Sequence, residues 1–188
     1  MVSPRLLLAL TGLILSAPCL AQTRPAHESL NLRCEIALAY VQELVANPSW
    51  GPMIFDDRPA DLVDFLEAGW WAEGAEPPRR VAAPDALVER LRAEEGAAAV
   101  HHCASLRLFL AANRIAYGRN AVRDQHRLPW RVRVRTGIVN LSLPVTSEDG
   151  RRAVLGFSHS GAGASYRLLE RQSDGRWRVV ASQPLAVY

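Results

Sequence analysis

The sequence predicts an α+β domain: N-terminal helices packed on a C-terminal four-stranded antiparallel meander. Three observations carry this. Apolar residues recur at three- and four-residue steps through the first part of the chain, and from Trp130 onward the period changes to strict alternation. Asp-Gly pairs at 149–150 and 174–175 then divide the alternating runs into hairpins. Helices first and strands afterwards, without interleaving, argue against a doubly wound sheet.

The chain opens with Arg5 and an apolar run, Leu6 through Leu15, interrupted only by Thr11 and Gly12. That run is too short to span a bilayer and has the length of a signal-peptide core. Cys19-Leu20-Ala21 meets the small-x-small requirement for cleavage before Gln22. We therefore divide the chain into a signal peptide, 1–21, and a single domain, 22–188, with a helical part over 28–115 and a sheet part over 130–188. This implies a periplasmic or secreted bacterial protein. Lipidation at Cys19 is the alternative processing, and Pro18 just before it is unfavourable. No later segment is long and apolar enough to cross a membrane.

Cleavage after Ala21 leaves two cysteines, Cys34 and Cys103. In an oxidising compartment an even pair reads as one disulfide, with two buried thiols as the alternative. The closed loop is long, and loop entropy assigns such a link about 4 kcal/mol.

The clearest helix covers Leu30 to Val45, with Leu30, Cys34, Ala37, Leu38, Val41, Leu44 and Val45 on one stripe. Ser29 suits its N-cap and Asn47-Pro48 its end. A second helix is expected from Pro59 to Ala68, capped by Asp57 and closed by Gly69. Trp70 and Trp71 open a proline-containing linker to Pro84. A third helix begins near Asp85, turns Leu87, Val88 and Leu91 inward and stops at Gly96. A fourth covers Val100 to Ala112, with Cys103 facing inward beside Leu106 and Leu110, where Cys34 is within reach.

The sheet part begins at Trp130. Val132 and Val134 share one parity and Val139, Leu141, Leu143 and Val145 the other, which predicts a bulge or bend at Thr136-Gly137. Ala153, Leu155 and Phe157 form the inward side of a second strand, and Ser160 to Gly163 break it. Tyr166 and Leu168 mark a third strand; Trp177, Val179 and Ala181 mark a fourth.

The ending Tyr166-Arg167-Leu168-Leu169, then Asp174-Gly175-Arg176-Trp177-Arg178-Val179-Val180, resembles the last hairpin of NTF2-like domains of the cystatin-like superfamily. The likeness covers about 25 residues and the helix-then-sheet order. It implies a curved sheet closing a cavity under the helices, walled by residues such as Tyr166 and Trp177. It carries over no catalytic residue, since such domains share a shape and differ in chemistry.

All 22 cations of the chain are arginine. The absence of lysine excludes Schiff-base chemistry and lysine general bases. Between Gln22 and Glu95 there are 14 acids against 7 arginines; between Gly96 and Tyr188, 5 against 14. Such asymmetry fits either two halves that neutralise each other or a basic face for an anionic partner. The densest positive tract is Arg114, Arg119, Arg123, Arg127, Arg131, Arg133 and Arg135, relieved only by Asp124. On a strand, Arg131, Arg133 and Arg135 share one face and suit a phosphate, carboxylate or polyanion; a solvated outer sheet face is the plainer account. Export and the lack of stacking aromatics argue against nucleic acid.

Other motifs are weaker. Adjacent His101 and His102 point about 100° apart on a helix and rarely serve one metal ion. Gly156-Phe157-Ser158-His159-Ser160-Gly161 lacks the spacing of a nucleophile elbow. Asp57, Asp61 and Asp64 are explained by a helix dipole, and Asn140-Leu141-Ser142 matches a glycosylation acceptor by chance. No metal, cofactor or catalytic residue is assigned. The expected function is a non-enzymatic domain that binds a small molecule or an envelope protein. The alternatives are a cavity enzyme using His or Asp as acid and base, and a structural envelope protein docking through Trp70 and Trp71.

Overall fold

The computed structural model describes residues 29–60, 62, 69–94 and 97–186. The expected signal peptide, Cys19 and nearly all of the helix expected over Pro59 to Ala68 lie outside the described residues.

Helix α1 spans Leu30–Ala46, and the Ser29 hydroxyl accepts the Leu32 N–H at 3.3 Å as an N-cap. Asn47 leaves helical geometry, and Pro48, which cannot continue the hydrogen-bond ladder, starts a single 3-10 turn, Pro48–Trp50. Strand β1, Met53–Phe55, follows where the sequence carries no strand signal, and the proline-containing linker begins with β2, Trp71–Ala72. Helix α2, Asp85–Ala93, buries Leu87, Val88 and Leu91 as the spacing demands.

The helix expected over Val100 to Ala112 is broken in two: α3 is Ala99–His102 and α4 is Ala104–Ala112, with extended backbone at Cys103 between them. Val100, Cys103, Leu106 and Leu110 are nonetheless all buried, because the break leaves the apolar stripe on one side. Two further helices follow: α5, Arg119–Gln125, and α6, Trp130–Arg133.

The remaining strands are β3 (Gly137–Leu141), β4 (Val145–Thr146), β5 (Arg152–His159), β6 (Gly163–Arg171) and β7 (Trp177–Ala186). The expected hairpins form, with Gly150 and Gly175 at positive φ in the two turns. The expected sheet needs correction, however. It is a mixed seven-stranded sheet in the order β1-β3-β5-β6-β7-β2, with β4 paired to β5. The antiparallel set β3-β5-β6-β7 is its centre, flanked by β1, parallel to β3, and by β2, antiparallel to β7. Strands of three and two residues are too short to show an alternation, which is why neither flank was readable.

Both faces of the sheet are covered. On one, Ala153, Leu155, Phe157, Leu169 and Trp177 pack with Val41 and Leu44 of α1 and Leu106 and Leu110 of α4. On the other, Val154, Tyr166, Leu168, Ala181 and Leu185 pack with Trp70 and with Leu87, Val88 and Leu91 of α2. Residues from Ala153 through His159 on β5 are all buried, as expected of a strand covered on both sides.

Strand β7 takes part in both cores. Leu168 pairs with Ala181 and Leu169 with Val179, so Val180 is the extra residue of a bulge. Trp177 and Val179 therefore face the α1 side, and Ala181 and Leu185 the α2 side.

Cys34 and Cys103 form the disulfide, with Cα atoms 5.2 Å apart. It ties the first turns of α1 to the break between α3 and α4 inside the first core. Among the described residues no helix is long and apolar enough to cross a membrane.

Candidate functional site

The segment from α5 to β3 departs most from expectation. Alternation in Trp130-Arg-Val-Arg-Val-Arg135 predicts a strand, yet the backbone turns through α6 instead. Pro129 has φ −53° at the N-cap, and its carbonyl accepts from Val132 N–H at 2.9 Å and Arg133 N–H at 3.1 Å. Strand pairing begins only at Gly137, where β1 offers Met53 as partner. With no sheet neighbour before that residue, the segment satisfies its backbone locally.

As a result all ten residues from His126 to Arg135 are exposed. Trp130 is 61% exposed, Val134 68%, Val132 47% and Leu128 41%. Of the seven exposed large apolar residues among the described residues, these four fall within seven consecutive positions. Arg127, Arg131, Arg133 and Arg135 alternate with them, and no acid occurs between Asp124 and Glu148. In the wider tract, Arg119 pairs with Asp57 at 3.0 Å and Arg127 with Asp124 at 3.4 Å. Arg131, Arg133 and Arg135 make no ion pair among the described residues; the Arg131 guanidinium lies 5.8 Å from the centre of the Trp130 ring.

The exposed run is held from beneath by buried Gln125. Its side-chain amide donates to Thr136 O at 2.7 Å and to Arg133 O at 3.4 Å. The Thr136 hydroxyl in turn donates to Val132 O at 3.0 Å. The arginines are thus presented by a backbone fastened at its far end.

Tyr166, expected with Trp177 to wall a cavity, is a core residue at 0% exposure, whereas Trp177, 5% exposed, lines a groove of about 490 Å³ with Glu35, Ala39, Gln42 and Glu43 of α1. Tyr166 and Trp177 lie on opposite faces of the sheet and share no cavity. Tyr166 stacks on Trp70, with ring centres 6.4 Å apart, and its hydroxyl receives Arg92 Nε at 3.0 Å. Trp70 is therefore buried, and Trp71 is half-buried beneath Arg80. Docking through that pair of indoles loses its basis.

A cleft of about 560 Å³ opens between Arg58, Pro59 and Ala60 on one side and Ile138, Asn140, Ser158, His159 and Ser160 on the other. Arg58 is oriented by buried Asp56, whose carboxylate accepts its Nε at 2.7 Å. Burial alone would raise the Asp56 pKa, but the bonds from Arg58 outweigh it and hold the carboxyl below its ordinary value. In His159 the Nδ1 accepts the Gly161 N–H at 3.1 Å, and Nε2 is buried without a hydrogen-bond partner among the described residues. Burial lowers its pKa, favouring the neutral ring.

The remaining motifs do not converge. His101 and His102 are exposed, with perpendicular rings, and no group of three His, Cys, Asp or Glu among the described residues is placed to hold a metal. Asp57 pairs with Arg119, while Asp61 and Asp64 lie outside the described residues. Ser158 and Ser160 flank the strand end, and the Ser160 hydroxyl accepts the Ile138 N–H.

Sequence reasoning found the arginines and missed the apolar residues between them, because alternation assigns such valines to a core. Pro129 directly before the run was the available signal.

No family model, curated protein or solved structure matches the chain, and no comparison bears on the NTF2-like resemblance.

Proposed function

We propose that this protein is an exported, non-enzymatic binding domain that engages an anionic partner through Arg131, Arg133 and Arg135. The observation that carries the reading is the ten-residue exposed run in which these guanidinium groups have no acid partner among the described residues. Guanidinium groups left unpaired on a fastened backbone meet phosphate or carboxylate groups without first breaking internal ion pairs. Export rests on the apolar segment Leu6 to Leu15, and a buried disulfide is compatible with an oxidising compartment.

The enzyme alternative would need His159 to work beside an acid in the cleft it lines; its Nδ1 instead accepts the Gly161 N–H and its Nε2 lies against Gly137. A single small-molecule cavity walled by both Tyr166 and Trp177 is opposed by their placement on opposite faces of the sheet.

Chromatography on immobilised heparin, used as a generic polyanion, tests the reading. The native chain should elute at clearly higher salt than the R131Q/R133Q/R135Q variant. Identical elution of the two would remove the assignment.

A further inference from the structure

Resting on that reading, we infer that the anionic partner is the headgroup surface of a lipid bilayer, met by the Leu128 to Arg135 segment lying flat upon it. Two observations select a bilayer over another macromolecule.

The first is composition at one place. Trp130 and Val134 stand one helical turn apart and are the two most exposed of the four apolar residues. Arg131 and Arg135 are spaced in the same way immediately beside them. An indole prefers the interface between headgroups and acyl chains, and arginine stems lie along apolar surface while their heads reach phosphate. An apolar edge bordered by cations, without a single acid in 23 residues from Gln125 to Ser147, is the pattern of an interfacial segment.

The second is extent. A stable protein–protein interface engages roughly 20–30 residues on each side. Here the exposed run is ten consecutive residues long; Arg119, Asn120, Arg123 and Asp124 of α5 are exposed as well, but two of them, Arg119 and Asp124, are engaged in ion pairs, while Val122, Gln125 and Gly137 are buried. A bilayer sets no such minimum, because every arginine near an anionic surface contributes separately and the indole adds its own insertion. Exposed Trp130 beside Arg131 supplies a stacking aromatic, contrary to the expectation from sequence, so a nucleic acid would be served by it and by the charges, but gives Val132, Val134 and Leu128 no role.

Co-sedimentation of residues 22–188, the chain expected after export, with vesicles of phosphatidylglycerol and phosphatidylcholine, against phosphatidylcholine alone, tests this. The apolar run Leu6 to Leu15 is thereby left out of every variant. Binding should require the anionic lipid and weaken with added salt. R131Q/R133Q/R135Q should lose it roughly 100-fold, about fivefold per arginine. Replacement of the same three by lysine should restore most of it, since a headgroup field reads charge and not fork geometry. W130S/V134S should weaken vesicle binding about tenfold while leaving elution from heparin unchanged. Circular dichroism on each variant confirms that these exposed substitutions leave the fold intact.

Retention on heparin together with no arginine-dependent vesicle binding would overturn the bilayer inference and leave the anionic-partner reading standing. Loss of both would overturn both. Vesicle binding indifferent to Trp130 and Val134 would also overturn the geometry proposed here.

Discussion

Gly137 lies directly against the imidazole of His159: a β-carbon at position 137 would fall 1.8 Å from Nε2 and 2.5 Å from Cε1. The ring has little room to yield. Trp50 meets it edge-on at 5.2 Å between centres, Phe157 stacks at 6.5 Å, and the Gly161 N–H holds Nδ1. The contact sits at the first residue of β3, two residues after the exposed segment ends.

Gly137→Ala should therefore destabilise the fold by about 1–3 kcal/mol through overpacking. His159→Ala removes the obstacle, so the double variant should lose less than the sum of the two single losses. Urea unfolding of the four proteins measures the coupling. Strict additivity would show that the two residues do not press on one another.

The disulfide closes a loop over a sequence separation of 69. Cys34→Ala, Cys103→Ala and the double variant should each lose about 4 kcal/mol, because either single change already removes the link. Unfolding with and without reductant provides the check: reductant should destabilise only the native protein.

Asp56 is 1% exposed, and Arg58 supplies its charge partner. Its folded pKa lies below the ordinary value, so its stabilising contribution is complete above about pH 4 and is lost as pH falls through the folded value. In Arg58→Met the opposing effect of burial prevails and the sign reverses. The variant should be about 1–3 kcal/mol less stable than the native chain at pH 7. That deficit should shrink as the pH approaches 4 and below, where the carboxyl is neutral. A deficit constant from pH 7 to pH 3 would contradict this account.

Gln125→Leu should cost about 1 kcal/mol, since the Thr136 and Arg133 carbonyls lose their donor. The effect should be local. Hydrogen exchange should accelerate at the amides of Val132 to Arg135 and stay unchanged in β5 and β6, and vesicle or heparin binding should fall with it.

Where local signals agreed, the sequence was readable. Ser29, Asn47 and Pro48 bracket α1, and the inward stripes of α1 and of residues 100–110 place the two cysteines face to face. Both Asp-Gly turns are where their dipeptides put them. Legibility failed where a pattern has two physical causes. Val132 and Val134 alternate with arginines as an edge strand would, but nothing pairs with them, and Pro129 tips the backbone into a helical turn. The continuous run Ala153-Val-Leu-Gly-Phe157 also showed more than its alternate residues, since apolar side chains at successive positions require cover on both faces. The charge of the candidate surface was legible; its apolar half was not, because exposure depends on which neighbours the fold provides.

The bulge at Val180 has a consequence for how the molecule comes apart. By changing sides midway, β7 places Trp177 under α1 and Leu185 under α2, and so joins β5 and β6 in lining both interiors. Pulling that strand out of register would open both at once, so damage to either interior is expected to reach the other and the chain to unfold as one cooperative unit.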